Sequence, residues 1–346
     1  MKKLFLRSMA LLLVAVMVIS VFVSCEETDN DEKTDKGNVT DSDKDVTDSG
    51  EDATDSDKEV TDSGEDVTDS DKEVTDSSED VIDVGEGLGT EGLEFVLLED
   101  GTYGVKAGNT QLVKEIVIPS KYNGKEVTQI LPDAFNEATN LESIIVPSSV
   151  KSIGSYAFRF CSALESVKIG KGLEIIDEYA FYCCNALERI NIPNSVKIIS
   201  EGALFCCGLT NISIPESVEN IGKEAFEACS YLENIIVDEN NNMYKSIDGC
   251  LYSKDLKTFI QYPRGKKDTT FTIPDGVEII GASMFASSNL VSVSIPNSVT
   301  SIGSHAFYGC IELTSIKFRG SEAEWNAIEK GDNWNKNVPA SCQIIF

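Results

Sequence analysis

From Val113 onward the apolar positions of this chain recur with a period of 23 residues. Leu141, Leu164, Leu187, Leu209 and Leu232 are separated by 23, 23, 22 and 23 residues, and after a step of 58 the count resumes with Leu290 and Leu313. A fixed period of this length marks a solenoid, in which a unit too small to bury its own apolar face covers its neighbour's instead.

Within each period the pattern is L-x-x-I-x-I-P-x-x-V-x-x-I-G-x-x-A-F-x-x-C, seen most fully from Leu141 to Ala163. Ile144 and Val146 alternate with polar or outward positions, as in a strand with one buried face. Pro147 ends that strand, because it has no N–H to donate to a neighbour. Val150, Ile153 and the Ala157–Phe158 pair turn apolar groups inward again through short turns or 3-10 segments. The strand pairs are Ile116/Ile118, Ile144/Val146, Val167/Ile169, Ile190/Ile192, Ile212/Ile214, Ile235/Val237, Phe271/Ile273, Val293/Ile295 and Ile316/Phe318. Phe135, Phe158, Phe181, Phe226, Phe285 and Phe307 fill the A-F position, with Leu204 substituting once. Phe158, Phe181 and Phe226 are expected to stack along one interior edge.

This pattern resembles the BspA-like leucine-rich repeats of bacterial surface proteins, over roughly residues 90 to 346. The resemblance implies a β-rich leucine-rich-repeat solenoid of about nine stacked repeats. It also implies exported display, with adhesion to host proteins or to other cells as the usual role.

Charge divides the chain unevenly. Residues 26–87 hold 26 acids against 5 lysines, and residues 88–346 hold 32 acids against 21 lysines and arginines, within a net charge of −29. Residues 1–24 instead carry Lys2, Lys3 and Arg7 ahead of the apolar run Met9–Val23, and are expected to form an export signal too short to span a bilayer comfortably. Phe22-Val23-Ser24-Cys25 looks like a bacterial lipoprotein cleavage site, although the family-typical residue at Phe22 is leucine. On that resemblance Cys25 is the expected lipid attachment; the alternative is an ordinary signal peptide with a cysteine at its border. Residues 25–87 follow as a linker. The phrase VTDSDKDVTDSGED starts at Val39 and returns at Ala53 and Val67 with one valine or alanine in each seven residues. Such a segment cannot bury enough apolar surface to offset its ordering entropy, so a disordered, self-repelling spacer is expected. It lacks the glycine and the bidentate glutamate of a calcium loop.

Residues 88–112 alternate about a Glu99-Asp100-Gly101 turn, which predicts a hairpin covering the first repeat. The solenoid is placed at 113–320, with an insertion at 238–270 read as a projecting hairpin around Lys254-Asp255. Arg264, Lys266 and Lys267 follow that hairpin and read as a solvated loop, or alternatively as a contact for an acidic ligand. Residues 321–346 form the expected C-terminal cap. Ser321-Glu322-Ala323-Glu324 has the form of a capping box, and Trp325 and Ile328 fall on one helix face.

Candidate chemistry is sparse. Cys161, Cys184, Cys229 and Cys310 each stand three residues before the next leucine, and Cys206 and Cys207 straddle the same slot. Cysteine tied to the repeat phase reads as a small buried hydrophobe, and zinc would require other spacing. Stacking could bring Cys184 and Cys207 near disulfide distance, but mostly free thiols are expected. The single histidine, His305, has no neighbour that makes a nucleophile. No phosphate loop or nucleophile elbow occurs, so neither an enzyme nor a cofactor is expected. The acidic balance disfavours nucleic acid, and the membrane is expected to be met only through the lipid.

What is left is the outward side of the strands. Ser143, Ile145, Ser166, Lys168, Arg189, Asn191, Asn211, Ser213, Asn234, Ile236, Ser292 and Ser294 form the candidate binding face, since solenoids use such continuous faces for recognition. The expected partner is a protein or glycan on a host or neighbouring cell, met by a protein anchored at the bacterial surface. The competing expectation is a coat or spacer protein with no specific ligand, and an exported enzyme ranks third.

Overall fold

The computed structural model describes residues 85, 88–110 and 112–346. The export segment 1–24, Cys25 and the linker 25–87 (Gly85 aside) lie outside the described residues. The described chain is a β-solenoid of about nine turns containing one six-residue α-helix.

Three rows of cross-turn hydrogen bonds hold the turns together. The first row is the predicted one. Glu115–Val117, Ser143–Val146 and Ser166–Ile169 pair in parallel, with Ile116 opposite Ile144 and Ile144 opposite Val167. Asn211–Ile214 pairs with Asn234–Val237, and a four-strand set joins Thr270–Thr272, Ser292–Pro296, Ser315–Arg319 and Gln343–Ile345. In-register parallel pairing puts equivalent positions opposite each other, which is why each buried apolar side chain meets another.

The second row consists of two-residue strands that the apolar pattern alone does not mark as strands. Ile130, Ile153, Ile176, Ile199 and Ile221 are successive partners across five turns. Ile280 and Ile302 pair in the same way further along.

The third row is the A-F turn. The N–H groups of Tyr156, Phe158 and Phe160 donate to the carbonyls of Glu178, Ala180 and Tyr182 at 3.0, 2.7 and 2.8 Å. For three alternate N–H groups to point along the axis, the residues on either side of the Ala-Phe pair adopt the left-handed conformation. Tyr156 and Phe160 (φ 59° and 58°), Tyr179 and Cys183 (53° and 60°), and His305 with Gly309 (59° and 67°) are examples. Left-handed backbone costs a non-glycine residue roughly 1–2 kcal/mol, so tertiary bonding here overrides local preference. At Gly154 a Cβ would lie 2.6 Å from the Pro132 nitrogen, so the repeat glycine is there for close approach of one turn to the next.

The core divides in two. One cluster runs from Val105 to Leu251 and the other from Cys250 to Ile328. The insertion makes the partition, and it does not project. Its strands Tyr244–Ile247, Cys250–Ser253 and Thr258–Gln261 are antiparallel, and the third pairs with Ile279–Ile280 to extend the second row. Alternation along the middle strand sends Leu251 into the first core and Cys250 and Tyr252 into the second, all fully buried. Asn241, also fully buried, bolts the insertion to the preceding turn. Its Nδ2 donates to the Pro215 and Val218 carbonyls (2.9 and 3.0 Å), while its Oδ1 accepts from the Met243 and Tyr244 amides (2.9 and 2.8 Å).

The ends are closed differently. Glu94–Leu97 and Tyr103–Lys106 form the antiparallel hairpin, whose second strand pairs with Lys125–Ile130 of the first turn. At the other end Ser321 caps the helix Glu322–Ala327, and both halves of the capping box are present. Trp325 is buried on Phe318 (ring centroids 5.4 Å) and lies 6.0 Å from Trp334, which meets Phe307 edge-on.

The phenylalanine edge is shorter than the sequence pattern implies. Phe135, Phe158 and Phe181 stack at 5.3 and 5.0 Å. Leu204 occupies the next turn, so Phe226 is separated from that stack by an aliphatic side chain.

Candidate recognition face

Alternation within each strand sends the candidate residues outward, where all twelve are exposed or half-buried. The register sorts them into rows. Ser143 lies opposite Ser166 and Ile145 opposite Lys168. Asn211 lies opposite Asn234 and Ser213 opposite Ile236. Ser292 and Ser294 stand opposite Ser315 and Lys317.

The face is not the continuous sheet expected. Arg189 and Asn191 sit on the turn of Ile190 and Ile192, whose side chains are buried but whose backbone joins no strand ladder. One residue is missing just after this turn, where Cys207-Gly208-Leu209 replaces the longer Cys184-Asn185-Ala186-Leu187 spacing. The insertion interrupts the row again, because the Ile235 amide donates to the Gly249 carbonyl (2.8 Å) and not to a following repeat. The candidate residues therefore form one patch at 143–168, a second at 211–236 and a third at 292–294, with Arg189 and Asn191 between the first two.

Part of the polar capacity is already used within the face. Asn234 Nδ2 donates to Asn211 Oδ1 at 3.0 Å, and the Ser315 hydroxyl donates to Ser292 Oγ at 2.9 Å. Ile236, half exposed at 51%, is the large apolar group of the second patch. Beside the face, Glu142, Glu165, Glu188 and Glu233 occupy the same repeat position and form an acidic edge.

The other candidates behave as buried structure. The thiols of Cys161, Cys184 and Cys207 donate to the carbonyls of Phe135, Phe158 and Phe181 at 3.1, 3.1 and 3.2 Å. Cys229 and Cys310 do the same to Leu204 and Phe285. The repeated cysteine is thus a small hydrophobe with a weak donor aimed at the preceding turn. Burial pushes the Cys161 and Cys229 thiols up to about 12, which removes their nucleophilic character. His305 is half-buried against Tyr308 (5.5 Å, edge-on). Two of the three basic residues after the insertion fold back: Arg264 Nε donates to the Ala286 carbonyl (3.1 Å), and Lys266 pairs with Asp268 (3.2 Å). Lys267 alone of the three is exposed.

A perturbed carboxyl that the sequence did not flag lies at the seam between the cores. Glu227 lines a narrow cleft with Tyr262, Arg264 and Ser283. Burial, then the charge of Glu224, raises it to about 7 against the opposing pull of Arg264. Among the described residues no three metal-ligating side chains gather, and no helix is long and apolar enough to cross a membrane.

The fold has counterparts among known proteins. The model for the BspA type leucine rich repeat region matches residues 109–260 and 264–330 with six copies. A leucine-rich repeat protein from Eubacterium ventriosum is 25% identical with a TM-score of 0.61, over 74% of this chain and 70% of that one. One from Bacteroides ovatus is also 25% identical, with a TM-score of 0.52 over 74% and 70%. The pneumococcal vaccine antigen PcpA shares the fold at 22% identity and a TM-score of 0.56, over 76% and 82%. No curated protein matches the chain. With the family model spanning well over half of its length, the chain belongs to the BspA-type leucine-rich-repeat family.

Proposed function

We propose that this protein is exported and displayed on a bacterial surface, held by a lipid on Cys25 and lifted off the membrane by residues 25–87. There its repeat domain binds a protein or glycan of a host or neighbouring cell. The observation that carries this reading is the register of the strand face. It aligns short polar side chains with Ile145, Lys168 and Ile236 into patches whose mixture of polar and apolar groups suits a macromolecular ligand. Membership of a repeat family supports it. No acid, base and nucleophile are assembled anywhere on this face, so binding accounts for it better than catalysis does.

Two measurements test the reading. Immobilised full-length protein should capture one saturable partner from host surface extracts, and Lys168→Glu with Asn211→Arg should weaken that capture at least tenfold while leaving the melting curve in place. Equal capture by the variant would move the site off this face. The absence of any saturable partner would favour a coat or spacer role. Separately, mass spectrometry of membrane-extracted protein should find the acyl group on Cys25, and Cys25→Ala should release the chain; an unacylated wild-type protein would end the anchoring idea.

A further inference from the structure

Two adjacent cysteine pairs, Cys183-Cys184 and Cys206-Cys207, lie on consecutive turns. The strand spacing of about 4.8 Å places both cross-turn combinations within the Cα range of a disulfide. The side chains separate them. Cys184 and Cys207 point into the core, each donating to a phenylalanine carbonyl of the turn before. Cys183 and Cys206 occupy the second left-handed position of the A-F turn, at φ 60° and 57°. The two turns are tied in register here, the Cys183 amide donating at 2.9 Å to the carbonyl of Phe205, the residue before Cys206. Their side chains stand at equivalent positions of adjacent turns, and the Cys206 thiol donates to Asn185 Oδ1 at 3.7 Å. Both are buried, at 3% and 6% exposure, beside Tyr182, which is stacked on Phe205.

We propose that Cys183 and Cys206 form an intramolecular disulfide that staples these two turns together. The location gives the link a purpose. The turn it secures contains Ile190 and Ile192, the one repeat whose backbone is missing from the strand ladder, and the chain is a residue short immediately afterwards. The pair is also chemically matched. The interaction with Cys183, and then the charge of Arg264, hold Cys206 below the ordinary thiol value against burial, so Cys206 is the one that loses its proton and attacks. It attacks one sulfur of a disulfide oxidant and releases the other as a thiol. Cys183 then loses its proton, attacks the mixed disulfide at Cys206 and releases the second thiol, so two electrons pass to the oxidant. In the cell this step depends on the exported location proposed above; in the test tube it does not.

The test is to unfold the full-length chain in reductant, refold it in a buffer of reduced and oxidised glutathione, block remaining thiols, and map peptides without reduction. The expected product carries one link, Cys183 to Cys206, with Cys184 and Cys207 alkylated only after denaturation. Its melting temperature should exceed that of the reduced form by about 5–10 °C, as for a disulfide closing a loop of this size. Cys206→Ala should abolish both the link and the shift while still melting cooperatively, and its Cys183 should become free to alkylate. A folded product with Cys183 and Cys206 unlinked, or with either joined to Cys25, Cys184 or Cys207, would overturn the assignment.

Discussion

Phe181→Ala is the perturbation that most directly tests how the stack is held. Phe181 is fully buried and lies 5.0 Å from Phe158, with their rings nearly parallel. A phenylalanine buries roughly 150–250 Å². At about 25 cal/mol per Å², less what alanine retains, the lost transfer is about 2–3 kcal/mol. The cavity cannot close freely, because the Phe158 and Phe181 N–H groups donate hydrogen bonds of 2.7 and 2.9 Å to the Ala180 and Ala203 carbonyls of the neighbouring turns. That residual void adds up to about 2 kcal/mol, for a total of about 3–5 kcal/mol. The damage should also be local, since Phe181 belongs to the first core and the Trp325 cap to the second. Hydrogen exchange should therefore accelerate from about residue 141 to residue 209 while amides around Trp325 keep their protection. Glu165→Ala, on the exposed side of the strand row, should change stability by no more than about 0.5 kcal/mol. If cap and centre lose protection together, the nearest-neighbour account of this solenoid is wrong. If Phe181→Ala is silent and Glu165→Ala unfolds the chain, the assignment of inside and outside is wrong, and the recognition face falls with it.

Three further outcomes are expected. Asn241→Ala should lose about 2–4 kcal/mol in chemical denaturation, since it strands two buried carbonyls and two amides that the side chain now satisfies; a loss below about 1 kcal/mol would mean that the insertion is held by its apolar contacts alone. Glu227 titrates at about 7 when folded and near the ordinary carboxyl value when unfolded, so the native state binds the proton more tightly and loses stability as pH rises between the two. Discounted for its partial exposure, this amounts to about 1–2 kcal/mol, and Glu227→Gln should gain that much at pH 8 and nothing near pH 4; a gain equal at both pH values would refute the titration. Ser321→Ala should cost about 1 kcal/mol by removing the helix cap, read as faster exchange at Trp325.

The inside of this molecule was legible because burial follows the 23-residue period. Ile144, Val146, Val150, Ile153, Ala157, Phe158 and Cys161 repeat as a set, and all are buried. The capping box at Ser321 was legible because it is a local device, complete within four residues. What did not show was tertiary in origin. Two-residue strands such as Ser152–Ile153 are too short to alternate, and become strands only because Ile176 lies opposite. The left-handed turn positions hold Tyr, Phe, Cys, Glu and His as well as glycine, so no residue type announces them. In the sequence the insertion reads as projecting because its tyrosines and polar turn suggest surface. Only the position of Leu251 between Cys250 and Tyr252 reveals a strand with a core on each side. The candidate face shares this limit: alternation identifies which side chains point out, but the gap at Ile190–Ile192 depends on a ladder that no single repeat specifies.

The gap in the first row has a mechanical consequence. All three rows of hydrogen bonds run along the solenoid axis, so a tension along that axis opens turns one after another instead of shearing many bonds at once. At most turns the load is shared by three rows. At the turn of Ile190 and Ile192 it falls on the short strand Ile198–Ile199, with its partner Ile175–Ile176, and on the A-F turn bonds of Phe181 and Cys183. Tension along the axis would part the reduced protein there first, and single-molecule stretching should show its earliest release as a segment of a few repeats, not the whole domain.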